Sequence, residues 1–233
     1  MRTALWWVRR DLRLRDNPAL AAALDHAERV LPVFVLDPVL LDSDYVGEKR
    51  LAFLLGGLRV LDADLRERGS RLVVRRGDPA AALTDVLHEA RAEVIFAQAD
   101  VSPYARRRDA RVREHLPLRL TGGLTVHPPG AVRKQDGDPY TVYSWYRRTW
   151  NSFPLPTADG LREAPVTLPP VLEDVTGEAI PEAPARPARV PFEPGEAEAQ
   201  RRLDAFTAGP IARYHERRDR MDLDSTSQLS PYL

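Results

Sequence analysis

Short apolar runs alternate with amphipathic stretches over residues 1–123. The runs are rich in Val, Ile, Leu, Phe and Trp and too short for helices, which is typical of buried strands. They lie at 3–8, 30–38, 71–75, 92–100 and 118–123. Between them, apolar residues recur at helical spacing, as in the stretch 49–69, where leucines share one face and Gly69 ends the pattern.

Three of the amphipathic stretches carry a start signal for a helix. In each, a short polar side chain stands directly before a proline, at 17–18, 78–79 and 102–103. Asn, Asp and Ser accept hydrogen bonds from the first amides of a helix, and proline suits the first helical position. Strand and helix therefore alternate, and the series ends on a fifth strand.

This alternation predicts an α/β fold, with a doubly wound, parallel, five-stranded Rossmann-like sheet in a domain of residues 1–130. Any ligand should lie beyond the carboxyl ends of the strands, where the strand order reverses. The stretch "RRDLRLRD" follows the first strand in place of the glycine-rich dinucleotide fingerprint. A Rossmann dehydrogenase is therefore improbable.

Beyond this domain the chain changes character twice. Residues 131–195 are predicted to form an aromatic, then Pro-rich connector, because dense proline favours extended backbone. Apolar residues are spaced along it as if to dock on a folded surface: Val166, Leu168, Val171, Leu172, Ile180, Val190 and Phe192. Residues 196–233 form a short helical tail, with helices near 196–207 and 210–218. Since two helices cannot bury a core alone, we expect the tail to belong to a larger helical unit.

Aromatic residues gather just before the Pro-rich stretch, at Tyr140, Tyr143, Trp145, Tyr146 and Trp150. Such a cluster could stack on nucleic-acid bases, but buried aromatic area explains it without nucleic acid. We predict that it packs the connector on the body of the protein. Trp6 and Trp7 are expected in the core of the sheet.

Composition narrows the classes of function. The formal net charge is zero, which excludes a DNA binder that depends on a basic tail but not one with a local basic groove. The chain has no cysteine, and its five histidines have no metal-ligand spacing, so no metal site is predicted. No secretory leader or membrane-length apolar run is present in the sequence, which favours a cytoplasmic protein.

The stretch "STSQLSPYL" at 225–233 places several hydroxyls in a row. Ser and Thr hydroxyls beside backbone amides can hold a phosphate. The same residues are also typical of an ordinary turn before a helix. Composition alone leaves both interpretations open.

Six segments, in order, resemble the photolyase/cryptochrome family. They are "LWWVRRDLRLRDNPAL", "VLPVFVLDP", "RLAFLLGGLRVLDADLRERGSRLVVRRGDP", "ADVSPYARRRD", "YTVYSWYRRTW" and "YHERRDRMDLDSTSQLSPYL". The resemblance implies an α/β antenna domain, a connector and the start of a helical domain that binds FAD. It assigns flavin contacts to Tyr214, Thr226, Ser227, Gln228, Leu229 and Ser230, and a DNA-phosphate contact to Arg218.

The resemblance also implies an antenna chromophore. Folate-binding members carry an Asn-Glu pair just ahead of the position of Arg108, where this chain has Tyr104 and Ala105. A deazaflavin or FMN is therefore expected rather than folate. The candidate antenna contacts are Asp100, Arg10, Asp37 and Arg50, each of which could instead be a structural ion pair or a helix cap.

The function implied for the complete protein is light-dependent repair of cyclobutane pyrimidine dimers in damaged DNA, by electron transfer from reduced FAD. The complete protein is expected to be a monomer. Most of the flavin domain is missing from this sequence, so its FAD site is incomplete, no catalytic residue is assigned, and we expect the chain alone to be inactive. Two alternatives are a cryptochrome-type blue-light receptor and a stand-alone nucleotide- or flavin-binding module.

Overall fold

The computed structural model describes residues 1–43, 46–123, 125–182 and 192–232. Five strands run in chain order: β1 Thr3–Val8, β2 Arg29–Leu36, β3 Val73–Arg76, β4 Val94–Gln98 and β5 Leu118–Thr121. The helices are α1 Pro18–His26, α2 Pro38–Leu41, α3 Glu48–Glu67, α4 Pro79–Glu89, α5 Pro103–His115, α6 Tyr143–Trp150, α7 Glu196–Thr207 and α8 Tyr214–Arg217. Turns of 3₁₀ helix lie at Ala158–Gly160, Pro210–Arg213 and Ser230–Tyr232.

The five strands form one parallel sheet in the order β3-β2-β1-β4-β5. In the central strand, Leu5 is paired with Leu31 of β2 on one side and with Ile95 of β4 on the other. The chain builds outward from β1 in one direction and then continues in the other, so the strand order reverses between β1 and β4. The predicted doubly wound α/β fold is confirmed.

Two apolar cores cover the two faces of the sheet. Trp6 points to the face covered by α1 and α3, and Trp7 points to the face covered by α4 and α5. Both tryptophans are buried, as predicted, because successive side chains of a strand point to opposite faces. Loss of either indole should cost about 3–5 kcal/mol of stability, since a large cavity would remain.

The three predicted helix starts are confirmed. The Asn17 side-chain oxygen accepts from the amides of Ala19 and Leu20 at 3.1 and 3.0 Å. Asp78 caps α4 and Ser102 caps α5 in the same way. The following prolines fill the first turn, where an amide would have no partner in the helix.

The Pro-rich part of the connector docks on the sheet domain. Leu168 is buried in the core with α3, and its amide donates to the Arg68 carbonyl at 2.8 Å. Val175, which the sequence pattern missed, is fully buried on the opposite face. Val171, Leu172 and Ile180 pack against these cores and Phe192 is half-buried. Val166 is exposed, contrary to expectation, and Val190 lies outside the described residues.

The predicted packing of the aromatic cluster is wrong for its central residues. Tyr143 and Trp145 are 74% and 55% exposed, and Tyr146 is also at the surface. Trp150 does reach inward, with its ring 4.7 Å from that of the buried His127. The other rings are exposed because, in the described part of the chain, nothing buries any residue of α6.

The helical tail is less regular than predicted, and part of it lies on the sheet domain. Its second helix is split into the 3₁₀ turn at 210–213 and the single turn of α8. Pro194, Gly195 and Tyr232 contact α3, and the Glu196 carboxylate binds the loop after β1. By contrast, α7 has no buried residue. Across the described residues, no helix has both the length and the apolar character needed to cross a membrane.

Candidate functional site

A groove of about 800 Å³ opens beside the carboxyl end of β1, between the loop after that strand, the first half of α3 and the tail. Basic residues line one part of it, namely Arg9, Arg10, Arg13, Lys49 and Arg50. Apolar side chains line the rest, including Leu12, Leu51, Phe53, Leu54, Phe192 and Tyr232. A groove of this size with apolar walls and a cationic end suits a planar ring system that carries an anionic group.

The innermost cation of the groove is held by a buried carboxylate. Arg9 Nη1 donates to both carboxylate oxygens of Asp109, at 2.7 and 2.9 Å, and Arg108 binds the same carboxylate. Both guanidinium groups stack over the Trp7 ring. Burial lowers the pKa of Arg9 even though Asp109 opposes the shift. Arg9 Nη2 is buried without a hydrogen-bond partner among the described residues.

Arg10 and Asp100 face each other where the strand order reverses. Arg10 Nη1 lies 3.8 Å from Asp100 Oδ2, across a small cleft between the loops after β1 and β4. Partial burial raises the pKa of the Asp100 carboxyl, but the Ser102 amide and Arg10 outweigh it, so the pKa lies below its ordinary value. This carboxylate is therefore charged at neutral pH and orients Arg10 at the rim of the groove.

Lys49 and Arg50 supply exposed positive charge at the start of α3. Neither forms an ion pair within residues 1–43, 46–123, 125–182 and 192–232. The acidic residue of the groove, Glu196, is already engaged, because its carboxylate accepts from the amides of Leu14 and Arg15 at 2.8 and 3.0 Å. The groove therefore favours an anion at its α3 end.

Asp37 lies outside the lining of the groove. Its carboxylate caps α2 by accepting from the Val39 amide at 3.0 Å, and it also accepts a hydrogen bond from the Tyr104 hydroxyl. Burial and this carboxylate both raise the pKa of Tyr104. The pair joins the carboxyl end of β2 to the first turn of α5.

The tail forms the outer wall of the groove. The Tyr232 ring meets the Phe53 ring edge to face, with centroids 5.3 Å apart. The Tyr232 hydroxyl donates to the Glu193 carbonyl at 2.7 Å. Side chains far apart in the chain thus complete one apolar wall.

The hydroxyl run at Thr226–Ser230 has unused donors. The hydroxyls of Thr226, Ser227 and Ser230 form no hydrogen bond within the described part of the chain. Gln228 lies in the left-handed region at φ 51, and its side-chain oxygen accepts from Arg202 Nη1 at 3.0 Å. Hydroxyl donors beside an arginine are suited to a phosphate or another anion.

The remaining predicted contacts lie along the exposed tail. Tyr214 is half-exposed and packs edge to face on Phe206, with centroids 5.8 Å apart. Arg218 is exposed and lies 3.5 Å from the Asp219 carboxylate. Neither residue lines the groove. The buried Ser225 links the hydroxyl run to α8 by donating to the Arg217 carbonyl at 2.8 Å.

The structure thus brings Arg10 and Arg50 to one groove, with Asp100 behind Arg10. The sequence analysis missed Arg9, although the alternation of side chains along a strand could have indicated it. Arg9 follows β1 and is two residues after Trp7, so its side chain is expected on the same face of the sheet. No local pattern pointed to the pairing of Phe53 with Tyr232, because it depends on how the tail folds back.

Comparisons with known proteins agree with this architecture. The family model described as DNA photolyase matches residues 4–167. The chain is 35% identical over 243 residues to a protein of Synechococcus sp. (strain PCC 6716) described as an uncharacterized 31.6 kDa protein in the atpI 5' region. It is 37% identical over 238 residues to the deoxyribodipyrimidine photo-lyase of Streptomyces griseus.

A solved structure is similar over almost the whole chain. The bacterial class III photolyase of Agrobacterium tumefaciens superposes with a TM-score of 0.80 at 26% identity, over 99% of this chain and 50% of that one. The chain covers 83% of the Synechococcus protein but 50% of the Streptomyces photolyase, with 98% and 96% of its own length aligned. It therefore spans about half the length of the photolyases that it matches.

Proposed function

The chain belongs to the DNA photolyase family, and on that premise we propose that its groove binds the light-harvesting chromophore of a DNA-repair flavoprotein. The observation that carries the proposal is the groove itself, with apolar walls, the exposed cations Lys49 and Arg50 at the start of α3, and Arg10 reaching the point where the strand order reverses. Ligands of open α/β sheets bind at such points. Membership of this family also argues against the alternative that the chain is an unrelated, stand-alone nucleotide-binding module.

The proposed ligand is a deazaflavin or FMN. Its ring system would lie against the wall formed by Leu54, Phe53 and Tyr232, where apolar area is removed from water. If the ligand is FMN, its phosphate would be bound by Lys49 and Arg50 through charge-assisted hydrogen bonds. Asp100 would not contact the ligand but would orient Arg10 through their ion pair. Asp37 would hold the Tyr104 side chain in place beside the site through their hydrogen bond.

The hydroxyl run is proposed as part of an FAD site. The hydroxyls of Thr226, Ser227 and Ser230 would donate to the pyrophosphate, with Gln228 and Leu229 shaping the turn, and Tyr214 would pack against the cofactor. When bound, the flavin supplies a light-excited electron donor. Arg202 already lies against this turn through Gln228, so it would add positive charge beside the phosphates.

For the complete protein we propose light-dependent repair of pyrimidine dimers, with damaged DNA as the partner and Arg218 contacting a phosphate. The organisation proposed is an antenna domain at 1–130, a connector at 131–195 and the first part of the flavin domain at 196–233, in a monomer. Because the chain spans half of the photolyases it matches, we expect no light-dependent repair from this chain alone.

FMN titration of the purified chain, followed by flavin fluorescence, tests the antenna proposal. We expect FMN to bind more tightly than riboflavin, which lacks the phosphate. Arg50→Gln should weaken FMN binding about tenfold, since one charge-assisted contact is lost, and should leave riboflavin binding unchanged. Arg147→Gln removes an equal charge from the exposed α6 and is the matched control.

Two results would refute the proposal. One is equal affinity of the wild-type chain for FMN and riboflavin. The other is an equal loss of FMN affinity in Arg50→Gln and Arg147→Gln. That result would mean that Arg50 attracts FMN only through its charge and makes no specific contact with the phosphate.

A further inference from the structure

The groove and the hydroxyl run share a structural element. Ser230 is the last hydroxyl of the run, and it lines the groove together with Pro231 and Tyr232. Residues 230–232 form one turn of 3₁₀ helix, and the Tyr232 amide donates to the Leu229 carbonyl at 2.9 Å. Any displacement of this turn, which we call the Tyr232 turn, therefore changes the groove and the hydroxyl run together.

Among the described residues, the Tyr232 turn meets the body of the protein mainly through one side chain. The Tyr232 ring contacts Phe53 edge to face, and its hydroxyl donates to the Glu193 carbonyl and lies close to the Arg202 side chain. Tyr232 is only half-buried, and Ser230 is exposed. Segments with few buried apolar contacts open at low free-energy cost.

The segment before α7 is held far more firmly. A Cβ at Gly56 would lie 2.7 Å from the Pro194 side chain, and one at Gly195 would lie 2.8 Å from that of Val60. Residues 194 and 195 thus lie in close contact with α3, and the Glu196 carboxylate fixes the start of α7. One wall of the groove is therefore held by close packing of the chain on α3, whereas the Tyr232 turn is held by contacts of a half-buried side chain.

We propose that Tyr232 is a positioning residue that couples the groove to the hydroxyl run: a ligand in the groove holds the Tyr232 turn on α3, and the docked turn in return raises the affinity of the groove. This rests on the proposal that the groove binds a planar, anionic chromophore. A phosphate group held by the hydroxyl run would act on the groove in the same direction.

The coupling follows from linkage. A ligand that contacts only the docked form stabilises that form, and its apparent affinity falls by the fraction of molecules in which the turn is undocked. The effect is reciprocal, so ligand binding must also lower the fraction of molecules in which the turn is open, and hydrogen exchange through the open form becomes slower. A structural role for Tyr232 without ligand contact would produce no such response.

The experiment uses the full chain with FMN as the probe. Tyr232→Ala removes the ring, Tyr232→Phe keeps it but removes the bond to Glu193, and Tyr143→Ala removes an exposed tyrosine ring from α6 as the matched control. FMN affinity is measured by fluorescence for each variant. Hydrogen exchange of the wild-type peptide covering 226–232 is measured with and without saturating FMN.

We expect Tyr232→Ala to weaken FMN binding roughly three- to tenfold, which corresponds to the loss of one aromatic contact. Tyr232→Phe, which keeps the ring contact but loses the bond to Glu193, should lose less affinity than Tyr232→Ala. Tyr143→Ala should be unchanged, and FMN should slow exchange at 226–232. Unchanged affinity in Tyr232→Ala, an equal loss in Tyr143→Ala, or exchange that FMN does not alter would overturn the coupling and leave the groove proposal standing. No FMN binding by the wild-type chain would overturn both.

Discussion

Asp109→Asn tests the most deeply buried charge of the site. The Asp109 carboxylate accepts two hydrogen bonds from Arg9 and two from Arg108, at distances between 2.7 and 3.0 Å. The side chains of Arg9 and Asp109 are 7% and 4% exposed. The substitution keeps the shape of the side chain but removes the charge that compensates two guanidinium groups.

The expected loss is large because the Arg9 side chain is almost completely buried. Burial lowers the pKa of Arg9, which means that its surroundings disfavour the charged form. An amide in place of the Asp109 carboxylate removes the main negative charge that compensates this cation. Removing one partner of a buried ion pair costs about 3–5 kcal/mol. Arg9→Met should cost less than Asp109→Asn, because Asp109 then remains paired with Arg108.

The assay is urea unfolding of the full chain, followed by tryptophan fluorescence and circular dichroism. Asp25→Asn is the control, since its ion pair with Arg162 is exposed on both sides and should contribute less than about 1 kcal/mol. A loss below about 1 kcal/mol for Asp109→Asn, or a larger loss for Arg9→Met, would refute the idea that Asp109 compensates two buried cations.

Two further predictions concern the loops around the site. Asn17→Ala should lower the free energy of unfolding by about 1–2 kcal/mol, since Asn17 caps α1 and its Nδ2 also donates to Asp11 at 3.0 Å; a loss as small as that of Asp25→Asn in the same urea assay would contradict this. The lowered pKa of Asp100 means that its contribution is present above the ordinary pKa of a carboxyl and is lost as pH falls through the folded pKa. Stability should therefore fall less steeply in Asp100→Asn than in wild type over the acid range, and parallel curves would contradict the assignment.

Local sequence patterns predicted the sheet domain well because its determinants are local. Each strand is a short apolar run, and Asn17, Asp78 and Ser102 cap helices through bonds to amides only two or three residues away. The connector was partly predictable. Leu168 is buried as expected, but Val175 is buried because of the route that the connector takes over the sheet domain, and the spacing of the prolines does not reveal that route.

The site was less predictable because it depends on tertiary contacts. Arg10 and Arg50 were named as antenna candidates on the family resemblance, and both line the groove. The pairing of Tyr232 with Phe53 requires the tail to return to α3, which no periodicity encodes. The exposed Tyr143 illustrates the opposite error, since aromatic composition predicts burial only where another element covers the ring.

The central claim is that the groove between α3 and the tail is a chromophore site. The most direct test is a crystal structure of the full chain soaked with FMN. We predict that the isoalloxazine ring lies against Phe53 and Tyr232, with the phosphate within hydrogen-bond distance of Lys49 or Arg50. Flavin bound elsewhere on the chain, or a groove that stays empty at saturating FMN, would contradict the account.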